Sequence, residues 1–266
     1  MVNRVKTRYP LKMEQSYGRN ISNLINEIGQ IALNEFDQSL AADIDKDLLK
    51  KDDRFIQDGL LDVANKLIKK VKVLSLGALG NSDANKISSK YLNGISTFSK
   101  TNVNSQLSAK GINPVEKESW LKEYMNSKIA ENVSYITNIR DEYTTKFEQI
   151  IYRGVTSGQS SKEMRDELVN LVGMSEDRAQ FIARDQTGSI LGQLNAKRHQ
   201  RAGLIAFIWS DSGDERVRQS HHERNGKIYY YADDPLLPGT DYGCRCVAEP
   251  LDDDEIQEYL EKENSK

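Results

Sequence analysis

The sequence predicts a mainly α-helical protein: an elongated helical body, then a small C-terminal α+β module with few short strands. Three observations carry this. Apolar residues recur at helical spacing from about residue 13 to residue 202. Only five prolines occur in 266 residues, which leaves room for long unbroken helices. At Gly203 the character changes to short β-branched and aromatic runs separated by turn residues. Hydrophobic residues make up 38% and charged residues 29%, a polar balance that suits helices with much exposed surface.

The helical elements follow in order. In "YGRNISNLINEIGQIALNEF", Ile21, Leu24, Ile25, Ile28, Ile31 and Leu33 form one broad stripe. In "FIQDGLLDVANKLIKKVKVLSL" the stripe is Leu60, Val63, Leu67, Ile68 and Val71, and "GALGNSDAN" breaks it. The Ser/Asn-rich "KISSKYLNGISTFSKTNVNSQLSAKG" reads as a weakly apolar helix that packs poorly alone and needs a partner. Asn113-Pro114 suits a helix start, because proline is tolerated in the first turn. Beyond it Ile129, Ile136, Tyr143 and Ile150 fall seven apart, with Val133 and Phe147 between them, as one apolar seam. Ser160 and Glu163 have capping-box spacing. Gly173 is expected to stop that helix and Ser175 to cap another, which runs to Gly203 with Lys197, Arg198 and Arg201 at its negative end.

The C-terminal module begins with the strand candidates "LIAFIWS" and "KIYYY", with turns at Asn225-Gly226, Pro238-Gly239 and Gly243. The domain boundaries expected are 1–112 for an N-terminal helical region that binds a partner, 113–250 for the main domain, and 251–266 for an acidic tail forming a short exposed helix. Within the main domain, helices occupy 113–203 and the α+β module 204–250.

Three motifs carry chemical information. In "FIARDQTGSILGQLNAKRHQRAG", Ala179, Ala183, Ile190 and Leu194 make the apolar stripe; Gln186 lies on it, and Arg184 and Asp185 flank the stripe. Polar groups on a packing face need partners, so these three read as a structural network, with a catalytic Asp or Arg as the alternative. Gly188 and Gly192, one turn apart, would let another backbone approach closely. In "IWSDSGDERVRQSHHERNGKIYYY", Trp209 ends a strand, and Asp211, Asp214, Glu215, Arg216 and Arg218 crowd the loop before His221 and His222. Ion pairs closing a small fold are one reading; a His base oriented by Asp211 or Asp214 is the other. No G-x-S-x-G, H-E-x-x-H or Gly-rich phosphate loop occurs, so no catalytic residue is assigned.

The third motif, "DYGCRC", holds both cysteines of the chain. In an extended segment Cys244 and Cys246 face the same way, as two ligands of one zinc could. His221 is the candidate third ligand, with His222, Asp241 or Asp233 as a fourth. The alternatives are packing or a thiolate; a disulfide two residues apart would be strained. Arg245 is a candidate ion-pair partner of the loop from Asp211 to Glu215. No motif requires a cofactor.

Net charge is −3, so contact with nucleic acid would need a local patch. Candidates are Lys197, Arg198 and Arg201, and a second run at Lys66, Lys69, Lys70 and Lys72; solvated helix faces are the alternative. No apolar run approaches the roughly 18 residues of a membrane span, and "MVNRVKTRYPLKMEQSYGRN" lacks the apolar core of a secretory signal. Two cysteines imply no disulfide framework, so synthesis in a reducing cytoplasm is expected.

Taken together, IARDQT, a later glycine and Trp209, then RVR, His221, NGK and GCRC in that order resemble the phage Mu F-like minor head proteins, also called phage head morphogenesis proteins. The likeness runs from about Pro114 to Pro250 and includes "WLKEYMNSKIAENVSYITNI" and "GQSSKEM". Gly226 and Gly243 belong to its pattern. The resemblance implies a virion component of a tailed phage or prophage, assembled in the host cytoplasm. Such proteins associate with the portal and the procapsid interior, and so with scaffold or major capsid protein. Some are thought to affect packaged double-stranded DNA or its ejection. Neither a membrane role nor an enzymatic activity is implied. Many members carry Cys-x-x-Cys where this chain has Arg218 to His221, and a His before the CRC element. The metal-ligand set of those members is therefore incomplete here, with His221, Cys244 and Cys246 at equivalent places. Metal-dependent hydrolysis, including nuclease action, at this cluster is the competing function.

Overall fold

A computed structural model describes residues 5–48, 56–114 and 117–264. The first four residues of the basic N-terminal stretch and Phe55 lie outside them. The fold is mainly α with one small antiparallel sheet. Helices α1 (Leu11–Phe36) and α2 (Ala42–Leu48) are joined by a π-helical turn, Asp37–Ala41. Then come α3 (Ile56–Ala78), α4 (Asn81–Ala109), α5 (Leu121–Ser157) and α6 (Ser161–Arg201). The C-terminal elements are β1 (Ala206–Ser210), α7 (Gln219–His222), β2 (Ile228–Tyr230), a 3-10 turn (Tyr231–Asp233), β3 (Val247–Leu251) and α8 (Asp253–Asn264). No helix among the described residues is long and apolar enough to cross a membrane.

The chain folds into two compact units that are discontinuous in sequence. One comprises residues 17–88 and 129–180 and is all helical. Its core takes the predicted stripes: Ile21, Ile25 and Ile28 from α1, Leu67, Ile68 and Val71 from α3, and Ile136, Tyr143 and Phe147 from α5 are all buried. Leu24, Ile31, Leu60, Val63, Ile129 and Val133 are half-buried at the stripe margins. Arg140 donates to the Leu79 carbonyl (2.9 Å) just beyond α3. The capping box forms: the Ser160 N–H donates to Glu163 Oε2 (2.9 Å) and the Glu163 N–H to Ser160 Oγ (3.3 Å).

Two helix boundaries differ from expectation. No break occurs at Gly173; α6 runs unbroken for 41 residues. Ser175 caps nothing, because its hydroxyl donates to the Leu171 carbonyl one turn back (2.9 Å). Burial of Met164, Leu168, Leu171 and Ala179 carries the helix through the glycine. The helix expected from Pro114 starts at Leu121 instead; residues 115–116 lie outside the described residues, and 117–120 are not helical.

The other unit comprises residues 1–16, 89–128 and 181–266. Here the Ser/Asn-rich helix finds its partners within the chain. Ser96, Ser99, Asn102 and Gln106 lie on one buried face of α4. Ser99 donates to Asn195 Oδ1 (2.5 Å), Asn102 Oδ1 accepts the Arg8 N–H (2.9 Å), and Gln106 Nε2 donates to Thr7 Oγ1 (2.8 Å). A weakly apolar helix packs because its polar face is hydrogen-bonded.

The sheet has the order β2-β1-β3. Phe207 pairs with Tyr229, and Trp209 with Ala248. The strand β3 was not expected; its sequence VAEPL does not alternate and contains a proline. On its far side Thr7 Oγ1 donates to the Ala248 carbonyl (2.7 Å). The acidic tail is less free than expected. Asp252 Oδ1 accepts the Glu255 N–H (2.9 Å), capping α8, and Ile256 is buried with Ala206 and Leu251.

Candidate functional site

The loop before β3 lies directly on α6, and two glycines permit it. A Cβ at Gly188 would overlap the carbonyl oxygens of Cys244 and Gly239, and one at Gly192 would overlap that of Pro238. The loop bends through Gly239 (φ 90°) and Gly243 (φ 61°), a region side chains disfavour. Asp185 secures it: its Oδ1 accepts the Gly243 N–H (3.0 Å). Gln186 is buried, with its Nε2 3.3 Å from Asp185 Oδ2. Arg184 lies alongside, its Cδ at contact distance from where a Gly243 Cβ would stand.

Held this way, Cys244 and Cys246 enter a buried cluster with Phe207, Trp209 and Ala248. His221, on the one-turn helix α7, joins them. Its Nδ1 is 3.4 Å from Cys244 Sγ and 3.7 Å from Cys246 Sγ. The other ring nitrogen, Nε2, is 3.1 Å from Asp241 Oδ2, and Trp209 packs edge-on to the imidazole (5.2 Å between centroids). Arg218 braces Asp241 from outside: it donates to the Tyr242 carbonyl (2.5 Å) and stands 3.6 Å from Asp241 Oδ2. The Cys244 thiol is pushed down to about 6, because Cys246 hydrogen-bonds to its sulfur through thiol and N–H, aided by the Gly239 N–H and nearby His221, against the opposing effect of burial. The same thiol–thiol bond, with burial, pushes Cys246 up.

A tetrahedral zinc with Zn–S about 2.3 Å and Zn–N about 2.0–2.1 Å holds N and S about 3.6 Å apart. The two observed N–S distances bracket that value. A carboxylate on the far ring nitrogen is the usual second-sphere support of a ligating histidine. His221, Cys244 and Cys246 therefore fit three corners of a metal site, their ligand atoms all within 4.8 Å of one another. Among the described residues no further His, Cys or carboxylate joins this group. The fourth ligands considered from sequence lie elsewhere. His222 is exposed and pairs with Asp211 (2.8 Å), Asp233 is exposed, and Asp241 sits behind His221.

Other expectations are revised. The carboxylate that orients His221 is Asp241, rather than Asp211 or Asp214. Asp214 accepts the Arg216 N–H (2.9 Å). Arg245 binds chiefly Glu14 of α1 (3.0 and 2.5 Å), with Asp214 of the acidic loop further off at 3.9 Å. Glu14 carried no local signal, since it is 231 residues from its partner, whereas Asp241, expected as a possible fourth ligand, supports His221 from behind instead. Gly226 (φ 78°) closes the turn into β2, its N–H donating to the Trp209 carbonyl (2.8 Å).

Among the basic candidates, Arg198 is removed from any phosphate contact. It is buried, donating to Glu118 (2.7 Å) and to the Ser96 carbonyl (3.0 Å). Lys197 and Arg201 are exposed, Lys197 over the Trp120 ring (5.6 Å). In the helical unit Lys70 pairs with Glu35 and Lys72 with Glu148, both at 2.6 Å, while Lys66 and Lys69 are exposed.

Comparison with known proteins adds the following. Residues 145–249 match the family described as phage Mu protein F like protein. An uncharacterized Haemophilus influenzae protein is 36% identical over 140 residues, 52% of this chain and 31% of the relative. An uncharacterized Methanocaldococcus jannaschii protein is 30% identical over 118 residues, 44% of this chain and 19% of the relative. The chain thus spans a third or less of the curated relatives it matches. No solved structure matches significantly.

Proposed function

We propose that this chain, whose residues 145–249 belong to the phage Mu protein F like family, is a minor protein of a phage head and acts in head morphogenesis. The observation that carries the reading is the family match itself, which covers the joint between α6 and the sheet. The geometry of that joint supports a structural role. The chemistry of its motifs is turned inward: Trp209, His221, Cys244 and Cys246 are all buried, and Gly188, Gly192 and Asp185 serve to seat one loop on one helix.

In this reading the chain works within the assembling head, bound to the portal protein and facing the scaffold or major capsid protein. Lys197 and Arg201 are its exposed candidates for contact with packaged DNA. Zinc at His221, Cys244 and Cys246 would cross-link α7 to the loop before β3, a structural duty. Affinity capture of the tagged chain during head assembly tests the proposal. Recovery of the portal protein is expected; recovery of no head component would contradict it.

A second reading, metal-dependent hydrolysis at the same cluster, draws on one observation: three ligand atoms converge, and among the described residues no fourth joins them. It predicts phosphodiester turnover by the zinc-loaded chain, lost in His221→Ala.

A further inference from the structure

A cavity of about 30 Å³ opens at the His221 cluster, with His221, Cys244 and Cys246 in its lining. Its walls come from α6, the loop after β1, α7 and the loop before β3. Four arginines line it, Arg184, Arg216, Arg218 and Arg245, against one acidic residue, Asp214. Two of the four are engaged: Arg245 holds Glu14, and Arg218 holds the Tyr242 carbonyl and Asp241. The single carboxylate is engaged too, by the Arg216 N–H.

Arg184 and Arg216 differ. Among the described residues neither guanidinium has an ion-pair or hydrogen-bond partner. The Arg184 Nε is shielded from solvent and still lacks an acceptor. A charged donor buried without an acceptor is costly, and that cost disappears when an anion occupies the cavity. The Arg184 Cδ lies 3.6 Å from where a Gly243 Cβ would stand, which places its stem against the loop before β3.

We propose that this cavity binds one phosphate-type oxyanion, held by Arg184 from α6 and Arg216 from the β1 loop. The planar fork of arginine matches a tetrahedral oxyanion through paired hydrogen bonds. The site is independent of turnover and goes beyond the head-protein reading. Free phosphate and a nucleic-acid backbone both present this chemistry.

Calorimetric titration of the full chain with inorganic phosphate tests it. Saturable binding is expected, weakened about tenfold in Arg184→Met and in Arg216→Ala and unchanged in Arg178→Ala, an exposed arginine elsewhere on α6. Arg216 is exposed on a loop, so its variant reports even where Arg184→Met folds poorly. A short DNA duplex that competes with phosphate, with the same arginine dependence, identifies the backbone phosphodiester as the source. A duplex that does not compete identifies a free or terminal phosphate. No saturable binding, or wild-type binding in the Arg216→Ala chain, overturns the proposal.

Discussion

Arg245 closes on Glu14 through two hydrogen bonds, Nε to Oε2 at 3.0 Å and Nη2 to Oε1 at 2.5 Å. It fastens the loop carrying both cysteines to the start of α1. Tyr9 donates to the same carboxylate (2.6 Å), which leaves Glu14 only 5% exposed. A buried carboxylate that loses its cation is destabilised more than the pair was worth. Arg245→Met is therefore expected to cost about 3 kcal/mol. Glu14→Met added to it should restore a large part, read as a double-mutant cycle in urea.

The glycines of α6 separate by what faces them. At Gly188 and Gly192 an added methyl meets backbone carbonyls, which cannot swing away. Alanine at either is expected to cost about 2 kcal/mol or more. Gly173 in the same helix faces open space, so Gly173→Ala should stabilise by about 0.5–1 kcal/mol. Thermal midpoints of the three variants check the contrast.

His199 is fully buried beside Tyr231 (2.8 Å from Nδ1 to the phenol oxygen), and burial, with Lys110 and Arg198 nearby, pushes its pKa down to about 3. The folded chain therefore resists a proton that the unfolded chain accepts near pH 6.5. Its contribution to stability is present in full above that pH and is lost as pH falls toward 3. The slope is roughly 1 kcal/mol per pH unit. Urea midpoints between pH 7 and pH 4.5 should fall less steeply in His199→Asn than in the parent chain.

Elemental analysis of the purified chain should find about one zinc, reduced in Cys244→Ser and in Cys246→Ser. Asp241→Asn leaves the three ligands and removes the support behind His221. Zinc affinity should then fall about tenfold or more. A folded chain without metal would reduce the cluster to a packed thiol–imidazole core.

What was legible in the sequence was local. Helical stripes, the Ser160–Glu163 capping box, the turn glycines and the convergence of His221 with the cysteines all depend on spacing along the chain. The close approach at Gly188 and Gly192 was legible for the same reason, since small residues one turn apart have few other uses. Pairings across the sequence were not. Glu14 with Arg245 and Glu118 with Arg198 join positions 231 and 80 residues apart. Arg198 looked like a surface cation because it sits between Lys197 and Arg201, yet helical geometry turns it inward. The break expected at Gly173 failed because side-chain burial on both sides outweighs one glycine's propensity. β3 was missed because its proline hides a strand whose partner is β1, known only from the fold.

The most direct test of the proposed role is mass spectrometry of procapsids and mature heads purified from cells that carry this gene. The chain is expected in both, in far fewer copies than the major capsid protein. Its absence from both, in cells that express it, would contradict the assignment to the head.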